Sequence, residues 1–560
     1  MRPLSQPQRD PTLYIWILRL ILLLVFIVLL ARITELQVIE GSYYRALAEE
    51  NRIRKVSISA PRGKILARGG EMLVGNNEID KRIIFDPNTG YTKSDNLSGA
   101  KPEELVKEWI RNYPLGKKFA HVSGYLGRAN VDEVGRVDSK CSDKGIKSND
   151  SLVGRGGLEE YYDCVLRGID GEELIEVDSK GEKVRILGKR DPTSGNDIKT
   201  TIDYPLQEFI AEKLEGQKGT IIVSDSKDEI LALYSSPTYD PNTFINPPSV
   251  DVIEKILNDQ DLPLFNRAIS GVYHPGSTFK PVVALAGLEE GVIDKDYIYE
   301  DTGRLVINTP YGTFSYSNWY FTQYGGVEGR INLERALARS TDTFFYNLGG
   351  LLGVDKIDLW ANKFGMSQMT LIDLPGEISG LVPSPEWKEK VKGERWFLGN
   401  TYHMSIGQGD IAVTPLELNR AITAIANKGS LCVPHLLSAE VSGNFHFPVS
   451  IFQCKDLGTK EENIKLVKQG MEDACSPGGT GFPFFDFKEK NPRHVSVACK
   501  TGTAETGVNN KTHAWFTAFA PMDKPEIIAT VLVEEGGEGS AVAGPIARDI
   551  FDYWFAADSK

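Results

Sequence analysis

The run Tyr273-His274-Pro275-Gly276-Ser277-Thr278-Phe279-Lys280-Pro281 puts a hydroxyl and an amine three residues apart at the start of an apolar segment. Proline lacks an N–H and fits a helix only in its first turn, so Pro281 places the helix start near Ser277. Val282, Val283, Leu285 and Leu288 carry the helix to Gly291, a C-cap candidate. Ser277 and Lys280 then share a face. A lysine whose charged form is disfavoured by burial can take the proton of a serine and make it a nucleophile. The pattern Ser-x-x-Lys occurs twice more, at Ser98 to Lys101 in a polar loop and at Ser224 to Lys227 in a hairpin turn, and neither opens an apolar helix.

Two further motifs follow. Ser340-Thr341-Asp342 lies 63 residues after Ser277, and Lys500-Thr501-Gly502-Thr503 another 160 residues on. Alone, Ser340 would read as a helix N-cap. Together the three form the motif set of active-site serine acyl-transfer enzymes. With the context Lys-Thr-Gly-Thr-Ala-Glu, the chain resembles the class B penicillin-binding proteins. The Asp at 342, Met404-Ser405-Ile406-Gly407-Gln408-Gly409, Val413-Thr414-Pro415-Leu416 and Val382-Pro383-Ser384-Pro385-Glu386-Trp387 are similar to the penicillin-binding protein 2 subgroup.

The resemblance implies a peptidoglycan D,D-transpeptidase that cross-links stem peptides during cell-wall elongation and is acylated by β-lactams. It assigns attack to Ser277, the base to Lys280, a proton relay to Ser340, an orienting role to Asp342 and positive charge to Lys500. Thr501 and Thr503, around Gly502, would hold the donor carboxylate, with the N–H groups of Ser277 and Thr503 as oxyanion hole. It implies the membrane, a SEDS-family glycosyltransferase and elongation-complex proteins as partners. Three alternatives stay open: a D,D-carboxypeptidase or β-lactamase-type hydrolase, a non-catalytic β-lactam-binding sensor or scaffold, and a division-type transpeptidase.

Those residues need a scaffold. At 560 residues and 41% apolar content there is room for several domains with real cores. A net charge of −13 without a basic block argues against nucleic acid. Residues 13–31 hold 18 uncharged residues and Arg19, roughly 28 Å of helix, enough for one bilayer core. A single transmembrane anchor follows, after a cytoplasmic tail at 1–12 too short for a sensor's output module. The resemblance puts the tail inside and the catalytic part outside the bacterial inner membrane.

Residues 32–215 read as an elongated, β-rich pedestal of the dimerisation type. Alternation over 53–75 and a hairpin pairing 174–177 with 184–187 give its β character, and Pro61-Arg62-Gly63 and Gly156-Gly157-Leu158-Glu159 resemble motifs of the family's pedestals. Ala67 stands where the family has Asp. The spacing of Leu105, Val106, Trp109 and Ile110 predicts a helix over 101–113. Residues 216–560 read as an α+β transpeptidase domain, with strands at 219–224, 229–235, 494–503, 513–520 and 525–534 forming a five-stranded antiparallel sheet flanked by helices. On that sheet Cys499 would face the core, opposite Lys500. The six cysteines lack C-x-x-C spacing and leave a pairing such as Cys141 with Cys164 open. Some relatives in the family that the chain resembles carry a zinc site between the first two motifs, but residues 281–339 contain no His or Cys, so no metal is expected; the resemblance implies no cofactor.

Overall fold

The computed structural model describes residues 11–86, 90–101, 105–136, 141–147, 151–178, 183–245, 249–310, 312–439, 452–507 and 511–557. The expected cytoplasmic tail, through residue 10, and the hairpin turn at 179–182 lie outside them.

The chain divides into two compact units that do not follow chain order: residues 1–61, 78–109 and 169–193 form one, and residues 62–77, 110–168 and 194–560 the other. In the first, the apolar run is a helix, Pro11–Thr34, with the side chains of residues 12–34 exposed. It is long and apolar enough to cross a membrane. Strands Ile53–Ile58, Gly171–Val177 and Lys183–Arg190 make an antiparallel sheet over a small cluster of Val56, Ile175 and Val177.

The helix expected over 101–113 is instead a strand, Leu105–Asn112, paired with Met72–Asp86. Its apolar spacing fits either period over so short a run, and Val106, Trp109 and Ile110 are strand formers, so the neighbouring strand decides.

The second unit is built on five strands: β1 (Gly219–Ser224), β2 (Ile230–Ser236), β3 (Ala498–Glu505), β4 (Thr512–Ala520) and β5 (Ile527–Val533). All neighbours are antiparallel, in the order β2-β1-β5-β4-β3, so the Lys-Thr-Gly strand is at an edge. Period-two alternation gives the sheet two apolar faces. Ala498, Trp515, Phe519, Ile528 and Leu532 pack with the helix that follows Ser277 and with Phe344 and Phe345. Cys499, Phe516 and Val531 pack with Ile546, Ile550, Phe551 and Phe555 of the terminal helix Ala543–Ala557. The segment 277–430, whose period predicts a mostly helical stretch, has helices as most of its regular structure and also carries a partly exposed hairpin, Arg304–Thr309 with Gly312–Ser317.

The pedestal-type motifs also meet in this unit. Glu159 is fully buried, accepting from Arg62 Nε and Arg111 Nε, each at 2.6 Å, while Arg111 Nη1 donates to Gly63 O at 2.7 Å. Burial works against the Glu159 charge, but the two guanidiniums outweigh it and hold the carboxyl below its ordinary range. Ala67 is buried beside Ile65, Leu73 and Val74, an apolar site with no call for a carboxylate.

All six cysteines are paired: Cys141–Cys164, Cys432–Cys454 and Cys475–Cys499. Cys499 does face the core, but as half of a bridge that ties β3 to the end of helix Glu461–Ala474.

Candidate active site

The helix start lies slightly later than Pro281 suggested. Gly276–Phe279 form a 3₁₀ turn and the α-helix α1 runs Lys280–Glu289, with Pro281 in its first turn. Ser277 is half-buried in the turn, whereas Lys280 is fully buried. Two glycines permit the close approach of this turn to its neighbours. Gly276 N donates to Gly407 O at 2.9 Å, and a Cβ on Gly407, at φ +74°, would meet Gly276 O at 2.1 Å. A Cβ on Gly502 would meet Thr278 Cγ2 at 2.8 Å, which gives the Gly of Lys-Thr-Gly its steric reason.

Ser340 is not an N-cap. It ends α2 (Leu333–Arg339) in a left-handed conformation, φ +54°, and Thr341 holds the N-cap position of α3 (Asp342–Leu352). A serine there is strained, and the conformation turns both its carbonyl and its hydroxyl toward Lys280. Lys280 Nζ donates to Ser340 O at 2.8 Å, Ser340 Oγ at 3.1 Å and Asp342 Oδ1 at 2.6 Å. Lys500 Nζ donates to Ser340 Oγ at 2.8 Å and Thr501 O at 3.0 Å.

Burial lowers the pKa of Lys280, with Asp342 opposing it. Lys500 falls well below an ordinary lysine, through burial first and then the charge of Lys280. Two ammonium groups sharing one dry hydroxyl repel, so a neutral amine is accessible here.

Above this floor is a cleft of about 750 Å³ lined by Ser277, Ser340, Asp342, Thr501 and Thr503. Among the described residues no hydrogen bond engages Ser277 Oγ, which leaves its lone pairs to the cleft. Thr501 Oγ1 donates to Thr480 Oγ1 at 2.9 Å, and Gly539 N reaches Thr503 Oγ1 at 3.4 Å. His274 lines the rim with Nδ1 2.6 Å from Ile411 O. Ser224 is buried against Asn419 and Ser98 is exposed; neither lines the cleft. Among the described residues, no group of three or more His, Cys, Asp or Glu is arranged to hold a metal.

Sequence reasoning missed Trp319, Tyr346, His403, Thr480, Glu505 and Glu538, which also line the cleft. His403 directly precedes the Met-Ser-Ile-Gly-Gln-Gly stretch, which was the available signal for it, whereas Trp319 follows a hairpin with no motif of its own.

Comparison with known proteins matches residues 219–552 to the penicillin binding protein transpeptidase domain and 91–200 to the penicillin-binding protein dimerisation domain. The chain is 32% identical to the peptidoglycan D,D-transpeptidase MrdA of Acinetobacter baumannii, over 100% of this chain and 90% of that one. It is similar to the penicillin-binding protein (PBP2) of Helicobacter pylori solved in complex with MreC, with a TM-score of 0.76 and 25% identity, over 91% of this chain and 99% of that one. A chain from a peptidoglycan synthase complex that coordinates polymerization and crosslinking matches with a TM-score of 0.73 and 28% identity, over 97% and 98%.

With the three motifs converging on one cleft and both domain models matched, the chain belongs to the class B penicillin-binding proteins. Within that class it falls in the penicillin-binding protein 2 subgroup, and it is a serine-type D-Ala-D-Ala transpeptidase. The division-type alternative is overturned, because the relatives carry the MrdA and penicillin-binding protein 2 names of the elongation-type enzyme.

Proposed function

We propose that Ser277 is the nucleophile of a transpeptidase that cross-links stem peptides during cell-wall elongation. The observation that carries this is the convergence of Lys280 and Lys500 on Ser340, with Asp342 bound to Lys280, beneath the cleft that Ser277 lines. Ser277 Oγ attacks the penultimate D-Ala carbonyl and its proton passes to neutral Lys280. The backbone N–H groups of Ser277 and Thr503 take the oxyanion, and the Thr501 and Thr503 hydroxyls take the donor carboxylate. Ser340 Oγ accepts from both lysines and keeps its own O–H to donate. That proton goes to the departing D-Ala amine as the C–N bond breaks, and the proton on Lys280 replaces it on Ser340 Oγ across 3.1 Å, leaving acyl-Ser277 and a neutral Lys280. An acceptor amine then attacks the ester and loses its proton to Lys280, which passes it to the Ser277 oxygen as the ester C–O bond breaks, restoring the serine and the neutral amine.

The helix Pro11–Thr34 is read as a single inner-membrane anchor with the catalytic part extracytoplasmic. Three disulfides support an oxidising compartment for that part. The relatives solved with MreC and within a peptidoglycan synthase complex support elongation-complex proteins and a SEDS-family glycosyltransferase as partners. The test is cross-link formation from pentapeptide-bearing glycan by the full-length protein. Dimeric stem peptides with released D-Ala, both abolished by Ser277→Ala, are expected; D-Ala release without dimers would instead mean a hydrolase.

A further inference from the structure

Asp342 has two carboxylate oxygens, and the protein uses them differently. Oδ1 takes the Lys280 ammonium at 2.6 Å; Oδ2 takes the backbone N–H of Trp319 at 3.1 Å. The Asp342 N–H in turn donates to Asn318 Oδ1 at 3.1 Å. Asn318 occupies the N-cap position of the short helix Trp319–Tyr324 yet makes no side-chain cap bond to it. An asparagine there ordinarily caps its own helix. Here it is fully buried, and its side chain is spent on Asp342 and on Asp301 Oδ2, at 3.4 Å.

Asp301 is itself buried and fixed by Gly303 N, Thr343 Oγ1 and Glu328 N at 2.9, 2.7 and 2.8 Å. Asn318 N donates to Gly303 O at 2.9 Å, closing the base of the hairpin at 304–317. Both ends of that hairpin are thus clamped, and the clamp ends on Asp342.

We propose that Asn318 and Trp319 are positioning residues for the acyl-transfer reaction: they hold Asp342 by its N–H and its outer oxygen so that the inner oxygen faces Lys280. The assignment rests on the reading of Ser277 and Lys280 given above. The bond to the carboxylate is made by the Trp319 backbone, whereas its ring is engaged elsewhere, Nε1 donating to Arg339 O at 3.0 Å. Without the clamp the carboxylate is free to rotate away from Lys280, and a misplacement of this kind costs a reaction up to about 10²-fold.

Proline isolates the bond. Position 319 is the first of its helix, where proline is tolerated, and Asn318 has the extended backbone, φ −73° and ψ 143°, that precedes proline well. Trp319→Pro therefore removes the N–H and the ring, whereas Trp319→Ala removes the ring alone. The measurement is the acylation rate of full-length protein in detergent by a fluorescent penicillin, from pH 5 to 10, for wild type, both variants, Asn318→Ala and Ser277→Ala.

Lys280 is faced by Asp342 from α3 and by Lys500 from β3, and Asp342 raises the pKa of both lysines. Moving the carboxylate away makes the amines easier to deprotonate. Trp319→Pro is expected to be at least about tenfold slower than Trp319→Ala, with its acid limb displaced to lower pH. Asn318→Ala is expected to show the same displacement, and it decides alone if the proline variant does not fold. Equal rates within about twofold, or a slower rate with an unmoved limb, would overturn the positioning role while Ser277→Ala still abolishes labelling. Labelling that persists in Ser277→Ala would overturn the underlying reading and this inference with it.

Discussion

Lys280 and Lys500 meet on one oxygen: Ser340 Oγ lies 3.1 Å from the first ammonium nitrogen and 2.8 Å from the second. A hydroxyl accepts two hydrogen bonds and donates one, so the arrangement leaves a single proton directed elsewhere. Both lysines are buried, which disfavours two charges at so short a separation.

Lys280→Arg keeps the charge and removes the base, because a guanidinium stays protonated. Acylation by penicillin is expected to fall about 10²–10⁴-fold, the ordinary worth of a positioned base. A loss under fivefold would move the base elsewhere.

The pH dependence has a definite sign. The base must be neutral, so acylation rises with pH through the Lys280 ionisation, and burial sets that rise below the ordinary lysine value of 10.5. Asp342 opposes burial. Asp342→Asn therefore moves the acid limb to lower pH while slowing the plateau, as read from stopped-flow acylation across pH.

Glu159 is the electrostatic hub of the buried cluster with Arg62 and Arg111, and it does not touch the cleft. Glu159→Gln leaves the buried Arg111 guanidinium without a carboxylate, while Arg62 keeps Asp163 at 2.7 Å, and a loss of about 3–5 kcal/mol is expected. The folded carboxyl titrates below its unfolded value, so this contribution is fully present above about pH 4.5 and is lost as the pH falls through the folded value. Thermal unfolding between pH 3 and 7 checks both statements; a variant as stable as wild type at pH 7 would contradict them.

The bridge Cys475–Cys499 closes a sequence separation of 24 residues behind the Lys-Thr-Gly strand. Replacing both cysteines by serine is expected to cost about 2–4 kcal/mol by chemical denaturation. An unchanged midpoint would mean that the bridge does not constrain the unfolded chain.

The site was legible where chemistry is local in sequence. Ser277 and Lys280 are three residues apart, and Lys500 stands in the three-residue motif Lys-Thr-Gly. What holds them together was not legible. Asn318 and Trp319 reach Asp342 across 24 and 23 residues through a hairpin whose pairing no motif announces. The strand at 105–112 was read as a helix because four apolar residues cannot distinguish two periods without the neighbouring strand in view. The cysteine partners stayed open because pairing is set by the fold, not by spacing. Four strands of the sheet agree with their expected ends to within two residues, since each is a short apolar run bounded by turn residues, whereas the Lys-Thr-Gly strand, expected from 494, begins at Ala498.

The most direct test of the account is labelling of the full-length protein with a fluorescent penicillin, comparing wild type with Ser277→Ala, Ser98→Ala and Ser224→Ala. The account predicts a covalent label that survives denaturation in all but Ser277→Ala. Labelling that persists without the Ser277 hydroxyl, or that vanishes with either of the other two serines in a folded protein, would contradict it.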